Sequence, residues 1–277
     1  MIRSERFAQD AGKSARHKGE IASWLIAGSL WLATTSQSPA TPPDAPAIAG
    51  AETNGLSATE KPADGLSQNW NWHVQNTDIV QGYPGFPAKY SGPNSLPSGG
   101  ETRETVSLDL YAGIRLWPGA EAHIDGLMWQ GFGLGNTFGA EGFPNGEAFK
   151  LGTGVPNGTV ARLFIRQTIG FGGGQEDVPD DQLTLAGKQD ISRLTLMVGR
   201  FSAKDVFDNN AYANDPRTQF MNWSLMANEA WDYPADALGY TTGIAVELNQ
   251  PVWTLRYGFF QLASVPNGLT AEDQFLK

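Results

Sequence analysis

Between residues 105 and 116 the side chains alternate without a break. Val106, Leu108, Leu110, Ala112, Ile114 and Leu116 are apolar, and Thr105, Ser107, Asp109, Tyr111, Gly113 and Arg115 stand between them. Only an extended strand sends successive side chains to opposite faces, so this segment must carry one oily face and one polar face. The pattern recurs at 159–169, where Ala161, Leu163 and Ile165 alternate with Arg162, Phe164, Arg166 and Thr168. It recurs at 240–249, with Ile244, Val246 and Leu248 against Glu247, and at 253–261, with Trp253, Leu255, Tyr257 and Phe259 against Thr254, Arg256 and Gly258. Residues 70–81, 120–130 and 190–200 carry it more weakly. About seven strands of roughly ten residues follow, the length at which a tilted strand crosses a bilayer.

Alternation alone also suits a soluble sandwich, so the placement of charge decides. Asp109, Arg115, Arg162, Arg166, Glu247 and Arg256 share parity with polar or small neighbours and never with the aliphatic row. A charge facing lipid at mid-depth costs about 2 to 4 kcal/mol, so the charged face reads as a water-filled lumen. Arg193 and Arg200 have opposite parities, which puts Arg193 in the lumen and Arg200 at a rim. Trp70, Trp117, Tyr240 and Trp253 near strand ends suit interfacial girdles. The rival reading is a secreted glycan-binding β-sandwich, in which the aliphatic rows stack between two layers.

The connections are uneven. Trp117-Pro118-Gly119 and Gln250-Pro251 read as tight turns, and 83–103, 131–158 and 201–239 as long loops. Short turns at one end and long loops at the other belong to transmembrane barrels. Segment 170–189 is longer than its place on the short-turn side requires. Pro-Asn-Gly at 144–146, 156–158 and 266–268 reads as turns.

The amino terminus has the order of a secretory signal. Arg3, Arg6, Lys13, Arg16 and Lys18 precede an apolar run over 21–33, then small and polar residues. Residues 1–35 are read as a signal peptide, 36–67 as a disordered Pro/Ala-rich spacer, and 68–277 as the β domain. No cysteine occurs among the 277 residues, so disulfides, thiol nucleophiles and cysteine-based metal sites are excluded. A net charge of −10 argues against nucleic acid as a partner.

Longer strings carry a resemblance. AGKQDISRLTLMVGRFSAKDVFD (186–208), DPRTQFMNWSLM (215–226) and AWDYPADALGYT (230–241) resemble the bacterial carbohydrate-selective porins. VQGYPGFPAKYSGPNSL (80–96), GFPNGEAFKLG (142–152) and ARLFIRQTIGFGG (161–173) are similar to the same family. The resemblance runs from Trp70 nearly to the end. It implies an all-β, antiparallel transmembrane β-barrel of about 16 strands, wide enough for an aqueous channel, with loops folded inward. It also implies a Gram-negative outer-membrane location and passive diffusion of glucose and related small sugars. The seven or so strands here are expected to be the N-terminal portion of such a barrel, in contact with outer-membrane lipids and compatible with a homo-oligomer.

Sugars are neutral and rich in hydroxyls, so a selective path needs planar multi-donor groups, carboxylate acceptors and aromatic faces. Arg115, Arg162, Arg166, Arg193 and Arg256 are the lumen donors by parity, with Asp109 and Glu247 as acceptors. The same groups would equally serve as a salt-bridge lattice that stiffens the wall, and the arginine excess also suits a porin for anionic solutes. Within loop 201–239, Trp223, Trp231, Asp232 and Tyr233 are candidates for a constriction, and 218–230 for a short helix begun by Asp215-Pro216. The acidic group Asp177, Asp180 and Asp181 reads as a solvated loop. Of three histidines, His73 and His123 belong to no metal-spaced pair or triad, so no catalytic residue, metal or cofactor is expected.

Overall fold

The computed structural model describes residues 31–33, 67–92, 95–137, 152–208, 210, 212–220, 233–265 and 268–272. Ten strands follow in chain order: β1 (Trp31–Ala33), β2 (Trp70–Tyr83), β3 (Glu101–Trp117), β4 (Ala120–Gly131), β5 (Thr153–Gly170), β6 (Gln175–Val178), β7 (Gly187–Asp190), β8 (Arg193–Phe201), β9 (Thr241–Gln250) and β10 (Trp253–Phe260). Strands β6 and β7 pair only with each other, and the other eight form one sheet in the order β1-β10-β9-β8-β5-β4-β3-β2. All pairings are antiparallel. The sheet is open: among the described residues β1 and β2 do not pair, so neither barrel closure nor the larger strand number is seen.

Each of the seven alternating segments lies on a strand, namely β2 to β5 and β8 to β10. Of the expected signal peptide only 31–33 is described, as β1 beside β10, with Trp31 opposite Arg256. Residues 36–66 of the spacer, and most of the expected helix at 218–230, lie outside the described residues. At its start, Asp215 O accepts from Gln219 N in a turn.

Burial along the strands is inverted relative to a soluble sheet. On β3 the polar residues Thr105, Ser107 and Asp109 are buried, whereas Leu110 and Ile114 are each 52 % exposed. On β4 Asp125 is completely buried while Ile124 is exposed, and on β5 Leu163 is 56 % exposed. Trp70, Trp72, Leu196, Val198 and Ile244 continue this uncovered aliphatic and aromatic face. Aliphatic rows of this extent are not left bare in a soluble monomer. No second layer covers them among the described residues, so the sandwich requirement of two packed apolar faces is not met here.

Two local irregularities alter the parity read from sequence. Register shifts between Asp125 and Gly126, which pair with Arg162 and Val160, so Ala161 is an extra residue on β5. Such a bulge re-aims the strand, and Ala161 is completely buried instead of joining Leu163 and Ile165 on the bare face. Strand β5 also begins earlier than expected. Pro156-Asn157-Gly158 is strand, not turn: Asn157 and Gly158 pair with Trp129 and Met128, and Pro156 sits in a second register shift.

Gly199 has φ +138°, and a Cβ there would lie 2.3 Å from Leu163 O. Gly199→Ala should therefore cost about 1 to 3 kcal/mol in urea unfolding from detergent micelles. Gly126→Ala, whose Cβ would meet only Leu110 O at 3.9 Å, should stay within about 0.5 kcal/mol of wild type.

Candidate functional site

The polar face of the sheet is covered from both ends. From the long-loop end, the segment after β8 turns inward as a short 3-10 turn, Ala203–Asp205, held by a capping box between Ser202 and Asp205. From the short-turn end, segment 171–192 leaves β5 through Gly172, Gly173 and Gly174, all at positive φ, and folds back as hairpin β6–β7. Its tip lies on the sheet. The Asn71 side-chain amide donates to Asp180 Oδ1 (2.8 Å), Asp181 O (3.0 Å) and Thr184 O (2.9 Å). Arg166 donates to Leu183 O (2.7 Å), and Gln68 and Ala186 exchange two hydrogen bonds, one through the Gln68 side chain. These bonds account for the length of 170–189. They also correct the reading of Asp180 as part of a solvated acidic loop: it is an anchor, with His73 Nε2 3.4 Å away.

The arginines of polar parity, Arg115, Arg162, Arg166, Arg193 and Arg256, each have an acidic partner. Arg162 is held by two carboxylates. It forks onto Asp205 (Nε to Oδ2 2.8 Å, Nη2 to Oδ1 3.0 Å) and reaches Asp125 through Nη1 at 2.7 Å. A guanidinium matched to two carboxylates in this way makes strong, oriented bonds. Glu121 lies between Arg166 (2.7 Å) and Arg115 (3.4 Å) and is 3.2 Å from His123 Nε2. Arg256 pairs with Glu247, and Arg193 with Glu176 at the short-turn end. Asp109 is buried on β3, with Arg217 of the long loop 3.6 Å away and donating through Nε to Thr77 Oγ1.

Arg200, next to the end of β8, binds Asp236 of the long loop at 2.6 Å. Tyr240 is not part of a girdle. Its ring lies under both Arg162 (5.1 Å) and Arg200 (5.7 Å), a cation–π contact that ties the base of the long loop to the charged wall. Beside this wall lies an apolar cluster on the same face: Phe164, Met197, Phe201, Phe207 and Ala245, with Leu183 of the hairpin and Phe260 packed against it. On the 3-10 turn, burial pushes the Lys204 ammonium below its ordinary pKa, against the opposing pull of Asp208, Asp205 and Asp215.

Of the proposed constriction, Trp223, Trp231 and Asp232 lie outside the described residues, and Tyr233 stands half-buried near Gly239. Sequence reasoning missed Glu121, Asp125, Asp205 and Asn71. A signal existed for the first two: Glu121, His123 and Asp125 alternate with Ala122 and Ile124 on β4. No group of three or more His, Asp or Glu among the described residues gathers as a metal site.

Comparison with known proteins gives one match. The family model for the carbohydrate-selective porin, OprB family, matches residues 94–274. No curated protein and no solved structure matches. A sheet that buries Asp109 and Asp125 and pairs its arginines with carboxylates on one face, while leaving its aliphatic rows bare on the other, has the physical character of a pore wall, and the match extends from the loop before β3 past the end of β10: the chain belongs to the carbohydrate-selective porin, OprB family.

Proposed function

We propose that this chain, exported by its N-terminal signal, forms the wall of an outer-membrane channel through which small neutral sugars such as glucose diffuse downhill. The observation that carries the reading is the inverted burial: Asp125 has no exposure and Leu110 is half exposed on neighbouring strands of one sheet. In the bilayer the bare face meets lipid and the charged face borders water inside a cylinder. The short turns face the periplasm and the long loops the exterior. No bond is made or broken, so the protein acts without catalytic residue, metal or cofactor.

Sugar selectivity over anions is supported by the pairing of the arginines. A guanidinium already matched to a carboxylate offers its remaining N–H groups to hydroxyls without presenting a net positive field. Liposome swelling is the direct test. Protein reconstituted in vesicles should admit glucose, and Arg166→Ala should change that rate, because it frees Glu121 from its closest cation. Recovery of the protein in the soluble periplasm, or vesicles that remain closed to glucose, would defeat the proposal.

A further inference from the structure

Where the tip of hairpin β6–β7 meets β2, four acceptors compete for the two hydrogens of one amide. The Asn71 side-chain nitrogen lies 2.8 Å from Asp180 Oδ1, 3.0 Å from Asp181 O, 2.9 Å from Thr184 O and 3.2 Å from His73 Nε2. The amide is fixed in this sense, because turned over it would set its oxygen against those same acceptors. Gly113, opposite on β3, leaves room for it: a Cβ there would stand 2.5 Å from Asn71 Oδ1. The count closes when His73 Nε2 carries a hydrogen. Asn71 then serves Asp181 O and Thr184 O, and His73 serves Asp180 Oδ1, 3.4 Å away. Protonation of the ring guarantees that hydrogen and adds an ion pair, for which the contact has room to shorten.

We propose that His73 and Asp180 form a pH-operated latch, in which an imidazolium–carboxylate bond pins the hairpin tip to β2 in acid and loosens as the ring loses its proton.

The carboxylate is available for this. Asp180 meets no lysine or arginine among the described residues, and the two side chains, 17 % and 19 % exposed, are open to protons without being bathed in water. Beside Asp180, the Asp181 carboxylate accepts from Gln182 N. Tyr111 stands opposite His73 on β3, and Asp109 forms part of the next pair on that face, with Arg217 of the long loop drawn to Asp109 and Asp215. Across Gly113 from Asn71 stands His123, whose neighbour Glu121 is shared by Arg115 and Arg166. The cations near the latch are thus committed to other carboxylates.

The latch acts on the tip and not on the whole hairpin. Asp181 and Thr184 exchange two backbone hydrogen bonds, a compact turn that moves as a unit. Leu185 is 1 % exposed, Gln68 holds Ala186, and Asp190 accepts from Gly172 N and the Gln175 side chain at the base. Once the charge is lost, the tip keeps Arg166 on Leu183 O, Gln182 on Gln75 and an over-shared Asn71 amide. In the channel proposed above the tip borders the lumen, so acid should quieten the current and alkali should let it flicker. That consequence rests on the channel reading; the latch does not.

A nitroxide at Pro179, an exposed tip position in a chain without cysteine, reports the tip directly. In Pro179→Cys protein refolded in detergent micelles, the mobile fraction of the electron paramagnetic resonance spectrum should fall roughly five-fold between about pH 8 and about pH 5, the range in which histidine changes charge. His73→Gln and Asp180→Asn should each abolish that response, and should one of them fail to fold the other carries the same test. A tip equally mobile at both pH values, or a response that survives these replacements, overturns the latch. Bilayer recording separates the two readings: a responsive tip in a protein that passes no current upholds the latch and defeats the channel.

Discussion

Leu110→Arg is expected to cost about 2 to 4 kcal/mol of folding free energy when measured in phospholipid bilayers, because the side chain stands mid-strand on the bare face. Leu116→Arg, six positions on and beside the Trp117 turn, should cost only about 0 to 1 kcal/mol, since an arginine there can reach the interface. The pair tests depth, not polarity: both leucines share a face and a strand, and both are exposed. A face bathed in water would tolerate either change within about 0.5 kcal/mol. Equal, negligible costs would therefore remove the membrane from the account of this fold.

The contrast also marks what could be read from the sequence. The seven long strands were legible because a period of two survives any loop length, and on β3 parity alone separated Asp109 from Leu110. Arginine placement was legible for the same reason: Arg115, Arg162, Arg166 and Arg256 needed only their neighbours to be assigned a face. Parity failed where the backbone inserts a residue. The bulge at Ala161 shifts the face of everything before it on β5, and no composition signal distinguishes Ala161 from an ordinary outward alanine.

The partners of those arginines were not legible. Arg162 meets Asp205, forty-three positions away, and Asn71 meets Asp180 at a separation of 109. Such pairs are made by loops that fold back over the sheet, and their register depends on the three-dimensional path, not on a period. The length of 170–189 was a visible anomaly without a visible cause, because an inward hairpin and an outward one have the same sequence pattern. Tyr240 shows the converse error. Its position at a strand end suggested a girdle, yet the two guanidiniums flanking its ring decide its orientation.

The densest of these long-range junctions gives the second large effect. Arg162→Met should destabilise the protein by about 3 to 5 kcal/mol, because it leaves Asp125, wholly buried, and Asp205 facing each other without a cation between them. Methionine keeps most of the side-chain volume, so the loss reports charge and not a cavity. Adding Asp125→Asn should restore much of it, since the repelling pair is then reduced to one carboxylate. The same junction fixes Asp205, the last residue of the inturned 3-10 turn. In the channel proposed above, release of that turn should widen the passage at the long-loop end, and loss of this cation should move ion selectivity toward cations in bilayer recordings. If the single and double variants unfold alike, the energetic coupling between Arg162 and Asp125 is absent and the junction is not what fastens the turn to the wall.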